Sequence, residues 1–282
     1  MTKSLGFLGR SDSTLGERVT GHLSGACQLL PLTDARVRVD ASDVHWCGVR
    51  LDTLAALLIE APLIAWPQPI AEGLAGETAS DTQRRGLAFR ERRALHVSAL
   101  RRVATRVPTA NDPARAALFA QAPALALERL SIAGIPVRPW RIAPSADAQR
   151  GCARVAVTAE AGPQLACGSF ALDVELGARG ARAYLCVGAA TFAAARVSEH
   201  LDLGREPLEL ARDVPTHDGE LARRALDALG LEFGCVHISD HAVALVATAI
   251  ELETWDRACD GRVARALADW LQLAATTKAP HR

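Results

Sequence analysis

Several polar side chains in the last fifth of the sequence have the chemistry of metal ligands. His237, Asp240 and His241 lie within one short stretch at a predicted strand end and turn. Glu251 and Glu253 are two residues apart, which would place both carboxylates on one face of a strand. Imidazole and carboxylate groups bind Zn²⁺ and other divalent ions. Because the spacing matches no standard metal site and an exposed polar turn explains the same residues, we predict no metal site here.

Cys235 and His237 form a second constellation, suited to nucleophilic catalysis. They are two residues apart in a predicted strand, so they share a face, and a histidine beside a cysteine can activate the thiol. A buried structural cysteine explains the same pattern, and we favour it. The seven cysteines are scattered, odd in number and never spaced C-x-x-C. This predicts reduced thiols and a cytoplasmic protein rather than a disulfide framework or a zinc knuckle.

Lysine-dependent chemistry is nearly excluded by composition. Of the 32 Lys and Arg residues only Lys3 and Lys278 are lysine, so no lysine lies in the interior of the sequence. A Schiff base, a lysine general base or a P-loop phosphate contact would each need one. The 32 Asp and Glu residues bring the formal net charge to zero, which argues against nucleic acid as the partner.

The elements that must position these residues alternate between strands and helices in the first hundred residues. Apolar runs predict strands over 5–8, 27–32 and 45–51, and helical runs predict helices over 15–23 and 52–60. This alternation is typical of a layered α/β domain with a partly parallel sheet.

A long, arginine-rich helix is predicted over 81–106. Phe89, His96 and Leu100 fall on one stripe at helical spacing, so one face should pack against the protein. The remaining faces are cationic and are either solvated or a docking surface for an acidic partner or peptide. The arginines that would form the docking surface are Arg84, Arg85, Arg92 and Arg93.

The rest of the chain predicts a helix, a series of short strands and two more helices. Gly134 and Pro136 supply the usual chemistry of a helix end. No apolar run reaches the ~20 residues of a membrane span. The predicted helices are 113–133, 220–229 and 261–275, and the predicted strands are 137–142, 154–158, 169–174, 183–187, 191–197, 233–238 and 242–250.

Three motifs, in this order, resemble those of the ATP-grasp ligases. The segment from Asn111-Asp-Pro-Ala to Gly134-Ile-Pro-Val resembles their Asn-Pro-x-x-Ala entry and Gly-Ile/Phe-Pro-Val stretch. The segment Arg182-Ala-Tyr-Leu-Cys-Val-Gly is similar to their Arg-Val-x-Val-Val-Gly hairpin. The segment Ala225-Leu-Asp-Ala-Leu-Gly-Leu-Glu-Phe-Gly-Cys-Val-His237 resembles their Ala-Leu-Gly-Leu-x-Phe-Gly-Ala-x-Asp. The closest groups are the graspetide-type peptide ligases and the ribosomal-protein glutamate ligases.

The resemblance implies a mixed α/β (α+β) chain with the ATP-grasp fold. It implies a pre-ATP-grasp α/β domain over residues 1–108, ending in the basic helix. A reduced central subdomain would cover 109–175, and a C-terminal ATP-grasp-like subdomain 176–282. The segment 151–172, which corresponds to the glycine-rich phosphate loop, is shorter than an active member needs.

The resemblance also implies which positions should carry the chemistry. ATP-grasp ligases activate a carboxylate with ATP, clamp the phosphates with lysines and bind Mg²⁺ through oxygen ligands. The two clamp lysines fall on Ala122 and Thr158 in this sequence. The first metal carboxylate falls on His237, and the later Glu-x-Asn motif falls on Val246 and Thr248.

Two hypotheses follow from these replacements. The first is a noncatalytic ATP-grasp-like protein that needs no cofactor and acts by binding, as a homo-oligomer or with an active ATP-grasp ligase of the same pathway. The second is a divergent ATP-dependent carboxylate–amine ligase of peptide modification or coenzyme biosynthesis, which would use ATP and Mg²⁺. Arginine would then replace lysine at the phosphates, and the candidates are Arg154 and Arg182.

Overall fold

The computed structural model describes residues 4–10, 13–32, 35–40, 43–60, 79–144, 152–157, 170–198, 201 and 209–277. The first half combines short strands with one long helix, as its α/β pattern predicts. Its elements are β1 (Leu5–Gly9), α1 (Leu15–Gly21), β2 (Cys27–Pro31), β3 (Val37–Val39), β4 (Val44–Trp46), β5 (Val49–Arg50), β6 (Leu57–Ile59), α2 (Ala79–Ala104) and β7 (Thr109–Ala110).

The first sheet is parallel, with the strand order β2-β1-β6-β7. Its strand β6 corrects the helix predicted over 52–60, since only Leu51–Thr53 form a turn of 3₁₀ helix there. All three residues of β6 are buried. A short apolar run buried on both faces has no alternation, so periodicity cannot separate it from a helix.

The arginine-rich helix α2 packs over the hairpin β3-β4-β5. Leu100 and Val103 are buried in one cluster with Trp46 and Leu57, so the apolar stripe predicted for this helix is confirmed there. The Trp46 indole donates to the Pro31 carbonyl at 2.7 Å, which ties the hairpin to the end of β2.

The second half is built on two antiparallel sheets. The smaller has the order β8-β10-β9 and the larger β12-β11-β13-β14. The elements are α3 (Pro113–Gln121), α4 (Pro123–Ile132), β8 (Trp140–Pro144), β9 (Cys152–Val157), β10 (Phe170–Glu175), β11 (Ala181–Val187), β12 (Ala190–Ser198), α5 (Thr216–Leu229), β13 (Phe233–Ser239), β14 (Ala242–Ala247), α6 (Leu252–Ala258) and α7 (Arg262–Thr276).

The larger sheet is covered on both faces. Tyr184 and Val236 belong to a cluster with residues of α4 and α5, such as Leu127. The neighbouring positions Leu185 and Cys235 belong to a second cluster, which includes residues of α7 and of the parallel sheet. The sheet is therefore the shared wall of two hydrophobic cores. None of the helices in the described part of the chain is long and apolar enough to cross a bilayer.

Candidate functional site

Asn111 joins the beginning of α3 to the beginning of β13. Its side chain is buried, and its Nδ2 donates to the Phe233 carbonyl at 2.7 Å. Its Oδ1 accepts the backbone N–H groups of Glu232, at 2.7 Å, and Phe233, at 3.1 Å. The backbone of Asn111 has φ +55°, a left-handed conformation that asparagine tolerates better than most residues. The asparagine of the Asn-Asp-Pro motif therefore has a structural role.

The next residue of the motif, Asp112, caps α3. Its Oδ1 accepts the N–H groups of Ala114 and Arg115 at 2.9 and 3.0 Å, and Pro113 occupies the first helical position. The Arg115 guanidinium in turn donates to the carbonyl of Gly230, the residue that ends α5. Two of the motifs that carry the resemblance thus hold one another in place.

Ala122, which the resemblance aligns with the first clamp lysine, lies at the break between α3 and α4. A single helix was predicted over 113–133, and this prediction is wrong, because Pro123 begins a new helix and Ala122 departs from helical geometry. A methyl side chain carries no charge and offers a phosphate no hydrogen bond. Thr158, which the resemblance aligns with the second lysine, lies outside the described residues.

The three positions that the resemblance aligns with metal ligands are buried, two of them in the larger sheet and one directly after β14. His237 is 3% exposed, and Val246 and Thr248 are each 1% exposed. Val246 lies opposite Val236 and packs in the apolar cluster below the sheet. The Thr248 hydroxyl donates to the Ala116 carbonyl of α3 at 2.8 Å. These residues do not fit an Mg²⁺ ion that bridges ATP phosphates, since valine has no ligand atom and no carboxylate is present at the three positions.

Cys235 and His237 are neighbours on β13, as their spacing predicts. The Cys235 sulfur lies 3.9 Å from His237 Nε2. Both side chains are buried, and Cys235 is packed in the core that contains Trp255. Because a nucleophile must be reachable by its substrate, this arrangement supports the structural interpretation of the pair.

The candidate phosphate arginines lie on different sheets. Arg154, on β9, is the register partner of Asp173 on β10, and its side chain lies outside the described residues. Arg141 of β8 faces the same aspartate from the other side, and its guanidinium lies 3.3 Å from the buried Asp173 carboxylate. Arg182 is on β11, with backbone partners in β12 and β13.

Charged residues gather at the carboxyl ends of the parallel strands. The N–H of Arg10, just after β1, donates to Glu60 Oε2 at 2.7 Å, and the Arg10 guanidinium lies 3.2 Å from Glu251. Burial raises the pKa of Glu60, although hydrogen bonds from Ser13 and Arg10 act to lower it. Glu251 precedes α6 and Glu253 lies in its first turn, so the prediction that they share a strand face is wrong.

Arg18 of α1 extends this charged contact. Its guanidinium lies 2.8 Å from the buried carboxylate of Asp256 and 3.1 Å from Glu253. Thr14 occupies the N-cap position of α1, where its hydroxyl donates to Glu253 at 2.9 Å and makes no capping bond to the helix backbone. These ion pairs connect the parallel sheet and α1 to α6. Such contacts are consistent with a role in stabilising the fold as well as with ligand binding at the edge of the sheet.

The exposed part of α2 carries arginines and leucines together. Arg84 and Arg92 are exposed, Arg93 is half-buried, and the side chain of Arg85 lies outside the described residues. The leucines of this surface are Leu87, 52% exposed, and Leu95, 45% exposed.

One polar cluster was missed by the sequence reasoning. His241, in the turn after β13, hydrogen-bonds Asp218 of α5, and His217 lies beside the same carboxylate. The sequence grouped His241 with Asp240 and His237, because nearness along the chain was the available signal. His217 and Asp218 precede the helix predicted over 220–229, and they became part of a cluster because the observed helix begins at Thr216.

The sequence matches no protein-family model and no curated protein. The structure, in contrast, is similar to solved ATP-grasp proteins. PsnB, an ATP-grasp ligase complexed with a minimal precursor, Mg and ADP, matches with a TM-score of 0.70 and 15% identity over 96% of this chain and 97% of its own. The macrocyclase MdnB from Microcystis aeruginosa matches with a TM-score of 0.61 and 14% identity, over 95% of this chain and 99% of its own.

A third solved structure is similar over the same extent. It is a RimK domain ATP-grasp protein from Sphaerobacter thermophilus, with a TM-score of 0.56 and 16% identity over 95% of this chain and 99% of its own. The resemblance to ATP-grasp ligases seen in the motifs is confirmed at the level of the fold. The chain has the ATP-grasp fold over nearly its whole length.

Proposed function

We propose that this chain is a noncatalytic ATP-grasp protein that works by binding. The observation that carries the proposal is the burial of Val246 and Thr248 where the fold's enzymes bear a glutamate and an asparagine. Val246 is packed among apolar side chains, and the Thr248 hydroxyl is used by the Ala116 carbonyl. An acyl-phosphate reaction needs charge neutralisation at the phosphates, and these residues supply none.

The retained motifs support the same proposal. Asn111, Asp112 and Arg115 make contacts that hold helices and strands together, and none of these contacts requires a nucleotide. A scaffold under selection for folding alone would keep such residues and lose the lysines and carboxylates. Function resides in a site and not in a fold, so the fold by itself does not argue for ligase activity.

For the partner we propose a second copy of this chain, in a homo-oligomer, or an active ATP-grasp ligase, in a hetero-oligomer. A peptide is the third partner that we propose. PsnB, which shares the fold, is a ligase complexed with a precursor. In this chain Arg84, Leu87 and Leu95 fall on one exposed stripe of α2, on which Glu91 is the acidic residue. A surface of arginine and leucine suits a partner segment that combines acidic and apolar side chains.

Calorimetric titration with ATP and Mg²⁺ tests the absence of catalysis. We expect no Mg²⁺-dependent binding in the micromolar range and no phosphate release with any peptide substrate. Micromolar binding accompanied by phosphate release would overturn the proposal and favour the divergent ligase. In that case charge reversal at Arg154 and Arg182 should abolish the phosphate release.

The docking surface needs a separate test. The double variant Arg84→Glu/Arg92→Glu should lose co-purification with a co-expressed ATP-grasp ligase from the same source, or with its precursor peptide. Arg224→Glu is the matched control, because Arg224 is an exposed arginine on α5, a different helix. If the double variant and the control co-purify equally well, α2 is a solvated face.

A further inference from the structure

We infer that His217, Asp218 and His241 form a binding site for a divalent transition-metal ion of the Zn²⁺ class. The site lies where the amino-terminal end of α5 meets the turn between β13 and β14. It is separate from the positions on which the proposed function depends, so either proposal can fail without the other.

The Nδ1 atoms of both histidines lie close to the same carboxylate oxygen of Asp218. Asp218 Oδ1 is 2.8 Å from His241 Nδ1 and 3.4 Å from His217 Nδ1. One ligand atom from each residue lies within 4.8 Å of the other two. Bonds of about 2.0–2.1 Å in a tetrahedral zinc site separate neighbouring ligand atoms by roughly 3.3–3.4 Å. The His217–Asp218 distance already has this value, and the His241–Asp218 distance needs a small side-chain movement to reach it.

A hydrogen bond to its second oxygen fixes the orientation of the Asp218 carboxylate. The hydroxyl of Tyr184 on β11 donates to Asp218 Oδ2 at 3.2 Å, which leaves Oδ1 directed at the two imidazoles. Tyr184 is buried and is the single tyrosine of the chain. A partner that fixes the orientation of a ligating carboxylate is typical of protein metal sites.

The site is open to an incoming ion. The side chains of His217 and His241 are 74% and 73% exposed, whereas that of Asp218 is 15% exposed. The two rings pack edge to face at 5.2 Å between centroids, and both turn Nδ1 toward the carboxylate. Arg138, a nearby cation of this region, lies 3.6 Å from Asp240.

Three protein ligands leave a fourth coordination position. Structural zinc sites use four protein ligands, whereas sites with three keep a position for water or another ligand. In a protein that works by binding, a histidine, cysteine or carboxylate of a partner could occupy that position. The ion would also join α5 to the β13–β14 turn, whose residues Asp240 and His241 both have positive φ.

Titration of the untagged chain, stripped of metal by a chelator, with Zn²⁺ and then with Co²⁺ tests the inference. We expect one equivalent of Zn²⁺ to bind and Co²⁺ to give the visible absorption of a four-coordinate site. His217→Ala and His241→Ala should each weaken binding at least 100-fold, and Tyr184→Phe should weaken it about 10-fold through the carboxylate orientation. His22→Ala, at an exposed histidine just beyond α1, is the matched control and should change nothing.

Circular dichroism of each variant establishes that the fold is retained. His217 and His241 are exposed, so their replacement should leave the spectrum unchanged. The inference is overturned if the wild-type chain binds no stoichiometric Zn²⁺. It is equally overturned if folded His217→Ala/His241→Ala protein binds the ion as tightly as the wild type, because the ion then lies elsewhere.

Discussion

The side-chain amide of Asn111 bridges to the main chain of Phe233, donating to its carbonyl at 2.7 Å and accepting its N–H at 3.1 Å. The two residues are 122 positions apart in the sequence, so the bridge closes a long-range contact between α3 and β13. The asparagine of the Asn-Asp-Pro motif thus makes hydrogen bonds to the backbone that require no nucleotide.

Replacing Asn111 should therefore destabilise the fold. Asn111→Ala leaves buried backbone groups of β13 without partners and places alanine in a left-handed conformation, so we expect a loss of roughly 2–4 kcal/mol. Urea unfolding followed by tryptophan fluorescence measures the change. Glu128→Ala, at an exposed site on α4, is the control and should stay within about 0.5 kcal/mol of the wild type. A loss below about 1 kcal/mol for Asn111→Ala would contradict the structural role.

Helices and strands were predicted well where a periodic apolar pattern extended over many residues, or where glycine or proline marked the end of the element. Helix α5 ends at Gly230, which adopts φ +63°, and this signal is visible in the sequence. Strand β6 was mistaken for a helix because three consecutive buried apolar residues have no period. The strand predicted over 242–250 was too long, and the strand geometry expected for Glu251 and Glu253 was wrong, because β14 ends at Ala247 and α6 begins at Leu252.

The two candidate sites differ in how far the sequence could reveal them. The replaced lysine and ligand positions are predicted from motif order alone, and the alignment at Val246 and Thr248 stays a prediction. Asp218 and His241 are 23 residues apart, and they meet because β13 runs back beside α5 before the turn. Such a contact depends on tertiary packing, which no local pattern encodes.

The buried carboxyl of Glu60 should make stability depend on pH. Its folded-state pKa is raised above the ordinary 4.5, so the stability linked to this group is fully present below pH 4.5 and is lost as the pH rises through the folded-state value. Glu60→Gln keeps a side-chain oxygen for the Arg10 N–H and removes the titration. The stability of the variant relative to wild type should therefore increase with pH above 4.5.

Urea titrations of both proteins from pH 4 to pH 8 measure this relative stability. Arg10 is present in the wild type and in Glu60→Gln, so its attraction to other carboxylates cancels when the two free energies of unfolding are compared. A pH-independent difference between the two proteins would show that Glu60 does not titrate above its ordinary pKa in the folded state.

The cysteines should react with alkylating reagents at rates that follow their exposure and the pKa of their thiols. Burial raises the pKa of the Cys186 thiol to about 11 and that of Cys259 to about 12, so little thiolate is present at pH 7.5. Among the cysteines whose side chains the structure describes, Cys47 is the exposed one and should be alkylated first. Isotope-coded iodoacetamide with peptide mass spectrometry gives the rates, and we expect at least a 100-fold difference between Cys47 and Cys186. Equal rates in the folded protein would refute the assignment of Cys186 to the core, while equal rates in urea provide the unfolded reference.

A carboxylate at position 246, which the resemblance aligns with a metal ligand, should damage the fold. Val246→Glu places a carboxylate in a cluster of buried apolar side chains, and we expect a loss of about 3–5 kcal/mol, because an unpaired buried charge is strongly unfavourable. Val246→Leu is the control of similar size without charge and should cost about 1–3 kcal/mol through overpacking alone.

Thermal unfolding of Val246→Glu is then repeated in the presence of ATP and Mg²⁺. If these ligands raise its melting temperature while leaving that of Val246→Leu unchanged, the new carboxylate faces a nucleotide pocket, and the packed position inferred for Val246 would be wrong. If they do not, position 246 belongs to the core, as its apolar neighbours indicate.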